Sequence, residues 1–71
     1  MTAPLRLNEA PAVLRKDAAL LREIAEHLDA LAVNPRIRAE AKALSDSATR
    51  LRDEAGQCAR LAIRLERALG T

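Results

Sequence analysis

The chain contains no phenylalanine, tyrosine or tryptophan. That absence removes the aromatic anchors on which binding hot spots, base-stacking platforms and membrane-interface belts rely. Its single cysteine, Cys58, leaves no intramolecular disulfide and no multi-cysteine zinc site. With only Gly56 and Gly70 there is no glycine-rich loop to cradle a phosphate. Neither a metal-ligand cluster nor a nucleophile–base pair is spaced along the chain, so the sequence reads as non-catalytic, with no cofactor and no metal. No apolar run approaches the ~20 residues that a bilayer span needs. The start, Met1 to Arg6, lacks a basic region followed by an apolar core, and a cytoplasmic location is expected. Twelve basic residues against ten acidic ones leave a net charge of +2, too small a margin to make nucleic acid the leading partner class.

What is present is aliphatic. Hydrophobic residues make up 49% of the chain, nearly all of them Ala, Leu, Ile and Val, and they fall on two heptad ladders. In the first, Leu14, Leu21 and Leu28 alternate with Ala18, Ala25 and Ala32. In the second, Ile37, Leu44, Leu51, Cys58 and Leu65 alternate with Ala41, Ala48, Ala55, Ala62 and Leu69. Such spacing is helical, and Asn34-Pro35 separates the ladders with a cap and a first-turn proline. An all-α fold follows, an antiparallel two-helix hairpin. It comprises an N-terminal arm at 1–9, a helix at 10–32, a turn at 33–36 and a second helix at 35–69, with Asn8 capping the first helix and Gly70 stopping the second. Folding back at the turn pairs large with small: Ala32 with Ile37, Leu28 with Ala41, Ala25 with Leu44, Leu21 with Ala48, Ala18 with Leu51 and Leu14 with Ala55. The longer second helix then overhangs the first. Leu5 and Leu7 of the arm, or another molecule, would cover Cys58, Ala62 and Leu65, with Leu7 meeting Ala62 and Pro11 meeting Cys58.

A hairpin of 71 residues buries too little apolar surface to stand comfortably alone. Dimerisation into a four-helix bundle is the expected remedy. Beside the seam, Val13, Leu20, Ile24 and Leu31 form a second apolar stripe, with Leu61 and Ala68 on the matching flank of the second helix. This surplus is the candidate interface, and Asp17 within it is a register or partner contact. In the expected pairing Asp17 flanks Glu54. His27 follows Glu23 by four residues, which suggests an ion pair on a solvated face. Cys58 reads as a small buried hydrophobe. Residues from 36 onward carry a net +3, and Arg60, Arg64 and Arg67 form a candidate anion or nucleic-acid contact on the second helix.

The layers Leu14-Ala18-Leu21-Ala25-Leu28 and Ala41-Leu44-Ala48-Leu51-Ala55 resemble those of the Rop family of plasmid RNA-regulatory proteins. That resemblance implies an antiparallel four-helix-bundle dimer. The family's RNA-binding face includes an aromatic residue, which this chain lacks, so its function does not carry over. In size and hairpin shape the chain is also similar to the small co-chaperones of type III secretion systems, which pair with a larger helical-repeat chaperone. The reading is a helical protein–protein interaction module, an adaptor, assembly factor, co-chaperone or inhibitor. Its expected partners are a second copy, a larger helical protein, or both, without a membrane. The alternative is a dimeric nucleic-acid-binding regulator using the arginine row.

Overall fold

Ala, Leu, Glu and Arg are strong helix formers, and between Ala10 and Ala32 no residue interrupts them after Pro11, which a first helical turn tolerates. The computed structural model, which describes residues 6–70, places helix α1 at Ala10–Ala32 and helix α2 at Ala41–Gly70. A single 3-10 turn, Leu7–Glu9, runs directly into α1. Asn8 therefore lies inside that turn instead of capping α1, and the Glu9 position ahead of α1 makes no side-chain cap. Leu5, expected to help cover α2, lies outside the described residues.

The bend is built as its residues dictate. Asn34 precedes a proline and is extended (φ −75°, ψ 121°), and its Oδ1 accepts the Arg36 backbone N–H at 2.9 Å. A 3-10 stretch, Pro35–Glu40, follows and is broken at Ile37 (φ −123°, ψ 32°). The expected second helix from Pro35 is thus corrected: the α-helix proper starts only at Ala41. Residues 35–40 are consumed in crossing from one helix axis to the other, with Ile37 half-buried at the closed end. The stop at Gly70 is corrected as well. Gly70 is the last helical residue, with no left-handed backbone there.

Two ion pairs across the helices fix the register. Arg15 donates both terminal guanidinium nitrogens to Glu66, and Arg52 pairs with Asp29. If Leu14 lay level with Ala55, Arg15 and Glu66 would stand about 18 Å apart along the axis, beyond their combined reach. Shifting by one heptad, so that Leu14 lies level with Ala62, reduces that offset to about 7.5 Å. Both side chains lean toward the N-terminus of their own helix, and in antiparallel helices these directions converge.

The expected pairing is accordingly corrected by one heptad. The register that the ion pairs set places Leu14 level with Ala62, Ala18 with Cys58, Leu21 with Ala55, Ala25 with Leu51, Leu28 with Ala48 and Ala32 with Leu44. The large-to-small alternation survives the shift. Ala62 is fully buried while Leu7 is 65% exposed, as expected if Leu14 and not Leu7 covers Ala62. Because the crossing segment takes up six residues, α1 itself reaches along most of α2, and Pro11 comes level with Leu65.

Burial follows a simple rule. Ala18, Ala25, Ala48, Ala55 and Ala62 are fully buried, and among the described residues no large side chain is. The leucines facing them, Leu14, Leu21, Leu28, Leu44, Leu51 and Leu65, are only half-buried, as is Cys58. Small residues let the helix backbones approach closely, and the leucines then splay to one side of the contact. Gly56 sits half-buried at the edge of α2, where an added methyl would meet only the movable end of the Arg60 side chain, at 3.3 Å. Gly56→Ala is expected to stabilise the hairpin by about 1 kcal/mol, the helix-propensity difference. Urea denaturation followed by circular dichroism measures it.

Candidate interaction face

The register divides the hairpin into two unlike faces. One carries Arg15 with Glu66 and Asp29 with Arg52, each residue standing immediately after a ladder leucine (Leu14, Leu65, Leu28 and Leu51). Hydrogen bonds from the Arg15 guanidinium, reinforced by its charge and opposed by desolvation, hold the Glu66 carboxyl below its ordinary value of 4.5. A depressed acid contributes stability above its unfolded pKa and loses it as the pH falls through the folded one. The difference in melting temperature between the native chain and Glu66→Gln is therefore expected at neutral pH and should close at acid pH, once the folded carboxyl is protonated. Scanning calorimetry at the two pH values reads it directly.

The other face is apolar. Val13, Leu20, Ile24 and Leu31 of α1 lie there with Leu61 of α2, their exposure running from 37% at Val13 to 54% at Leu20. Between them and the alanine layer lie the half-buried leucines of both ladders. Leu61 stands level with residue 15 of α1 and widens the patch toward the open end. Nearer the bend, the flank of α2 turns polar with Ser47 and Glu54. The patch is thus centred on α1.

Asp17 is exposed within this stripe. The heptad shift moves it from Glu54 to the level of Ala59, leaving about 7.5 Å of axial offset to Glu54. Here the leaning directions of the two side chains diverge, so the expected carboxylate pair is not assembled. Among the described residues no three His, Cys, Asp or Glu side chains cluster. His27 is exposed and forms no ion pair with Glu23, so that expected contact is corrected too. Cys58 is half-buried on the seam, not sealed within it.

Arg60, Arg64 and Arg67 are exposed along α2, and none enters an ion pair among the described residues. Arg60 and Arg67 lie on the outer side of α2, and Arg64 lies beside Leu61. Sequence reasoning missed the two interhelical ion pairs, although the opposite charges following the ladder leucines signalled them. No described helix is long and apolar enough to cross a membrane. Comparison with protein-family models, curated proteins and solved structures finds nothing that matches this chain.

Proposed function

We infer that the chain is a non-catalytic helical interaction module, docking through the apolar stripe of α1 and completing a four-helix bundle with a second copy, a larger helical protein, or each in turn. The observation that carries this reading is the mismatch between core and surface. Apart from Pro11, the buried apolar residues are alanines, whereas Val13, Leu20, Ile24, Leu31 and Leu61 stay exposed on one face. A folded monomer of 7.7 kDa ordinarily exposes about 4,300 Å², and this hairpin exposes 5670 Å². The excess of roughly 1,300 Å² exceeds the ~800 Å² that each partner buries in a standard interface. An adaptor, assembly factor, co-chaperone or inhibitor built this way works by covering an apolar helix of its partner.

The test is oligomeric mass by light scattering with refractive-index detection, since the chain lacks the aromatic residues that absorbance at 280 nm relies on. Partner recovery is compared between the native chain and a variant carrying Leu20→Arg and Ile24→Arg. Unchanged mass and unchanged recovery would sink the reading.

A second reading rests on the exposed row Arg60, Arg64 and Arg67, free of ion pairs among the described residues, which suits phosphate contacts on a nucleic acid. Under it, affinity for DNA or RNA falls steeply with salt and disappears when the three arginines are replaced by Gln. Absence of binding at low salt ends it.

A further inference from the structure

The stripe on α1 is a second heptad seam with a palindromic pattern. Val13, Asp17, Leu20, Ile24, His27 and Leu31 follow one another at spacings of four, three, four, three and four. This is the stagger of a coiled-coil contact line. At 100° per residue the line lies about 110° around α1 from the seam that holds α2, which is the separation a helix needs to touch two neighbours in a bundle. Read in either direction the line gives the same order: apolar, polar, apolar, apolar, polar, apolar.

On that basis, and resting on the docking reading above, we propose that the stripe's occupant is a second copy of this chain, with α1 lying antiparallel to the partner's α1 about a two-fold axis between Leu20 and Ile24. In an isologous contact each residue meets its complement twice. Val13 faces the partner's Leu31, Leu20 faces the partner's Ile24, and Asp17 faces the partner's His27. The two polar residues of the line are therefore not interruptions. A carboxylate accepts and an imidazole donates an N–H in either protonation state, so each satisfies the other at both ends of the contact.

This arrangement also fixes register. Sliding by one heptad would set Asp17 against Leu20 or Ile24 against His27, leaving polar groups against apolar ones. The half-buried Leu21 and Leu28 flank the line on the side of α2 and fall toward the bundle centre. Lys16 and Glu23 flank it on the outer side, where they stay solvated. The charged groups facing Asp17 and His27 across the contact are thus each other, with Lys16 and Glu23 at the rim. The ion-paired face of the hairpin, on the far side of the contact with α2, remains outside.

The experiment uses two single variants, Asp17→Lys and His27→Asp, in the full chain, with circular dichroism confirming that both remain helical, as their exposure predicts. Alone, each loses both cross-pairs and is expected to dimerise about tenfold more weakly than the native chain, His27→Asp the more so because it sets carboxylate against carboxylate. Mixed in equal amounts, they form a heterodimer in which the introduced lysine of one chain faces the introduced aspartate of the other, while the retained His27 and Asp17 face each other at the opposite end. Its affinity is expected to return to near that of the native chain, with native mass spectrometry showing the mixed species well above the one-half share that random pairing gives. A statistical mixture of the three species overturns the pairing. In that case Leu20→Arg with Ile24→Arg still decides the broader docking reading, because it does not depend on register. A native chain that stays monomeric at millimolar concentration overturns the second copy as occupant, while recovery of a helical partner through the same stripe would leave the docking reading standing.

Discussion

Leu20→Arg combined with Ile24→Arg is expected to yield a helical but monomeric hairpin that no longer recovers a partner. Both residues are exposed in the isolated hairpin, so neither replacement removes a contact that holds α1 to α2. The arginine side chain is also a good helix former. Folding should therefore survive, and the helical dichroism signal per residue should match that of the native chain. The cost falls on association. Covering the remaining exposed half of each side chain is worth about 1 kcal/mol, and a two-fold contact includes four of them, so about 4 kcal/mol is lost. That corresponds to nearly a thousandfold in dissociation constant, before the penalty of facing four guanidinium groups across an apolar contact. Light scattering across a dilution series measures the shift. A variant whose mass matches the native chain at every concentration would show that the stripe is not an interface.

The opposite result is expected at Ala48. This residue is fully buried and, in the register the ion pairs set, lies level with Leu28. Ala48→Leu sets two leucines where the helix separation admits one leucine and one methyl. Overpacking commonly costs 1–3 kcal/mol, and about 3 kcal/mol is expected here because the buried apolar residues, Pro11 apart, are all alanines and no cavity is found among the described residues. For a two-helix hairpin of this size such a loss is most of the available stability. The helical signal should fall at 25 °C or vanish at a lower urea concentration. Ala43→Leu serves as control: Ala43 is exposed on the same helix, so the same added volume should leave stability nearly unchanged. Equal destabilisation at both positions would mean that Ala48 does not lie in the packed layer.

Both predictions act through alanines and leucines that differ only in heptad position, and that position was legible in the sequence. Leu14, Leu21 and Leu28, each followed four residues later by alanine, fix helical periodicity and large-to-small layering before any coordinates. Asn34-Pro35 fixes where the chain turns, because proline restricts its predecessor and a cap suits the residue before it. The surplus of Val13, Leu20, Ile24 and Leu31 was equally plain, since they lie beside the seam and the seam is already filled. What misled was the length of the connection. Helical periodicity continues through Ile37, and nothing in the apolar pattern shows that Pro35–Glu40 would be consumed in the crossing.

The charges carried the missing information. In the unshifted pairing Arg22 would stand across from Arg52, and Arg15 across from Ala59. After the one-heptad shift Arg15 meets Glu66 and Asp29 meets Arg52. Apolar layers repeat every heptad and are nearly blind to such a shift, whereas charges do not repeat and so distinguish one register from the next.

The sequence by itself therefore determined helix type, the turn and the two seams on α1, because each of these follows from local propensity and from residues spaced within a few turns. Only the tertiary structure decided the register and with it the neighbours of Asp17, the burial of Ala62 and the split between an ion-paired face and an apolar one. Those depend on how far the connection spans between two axes, and that distance is set by the bend at Ile37 and by side chains from opposite ends of the chain coming together.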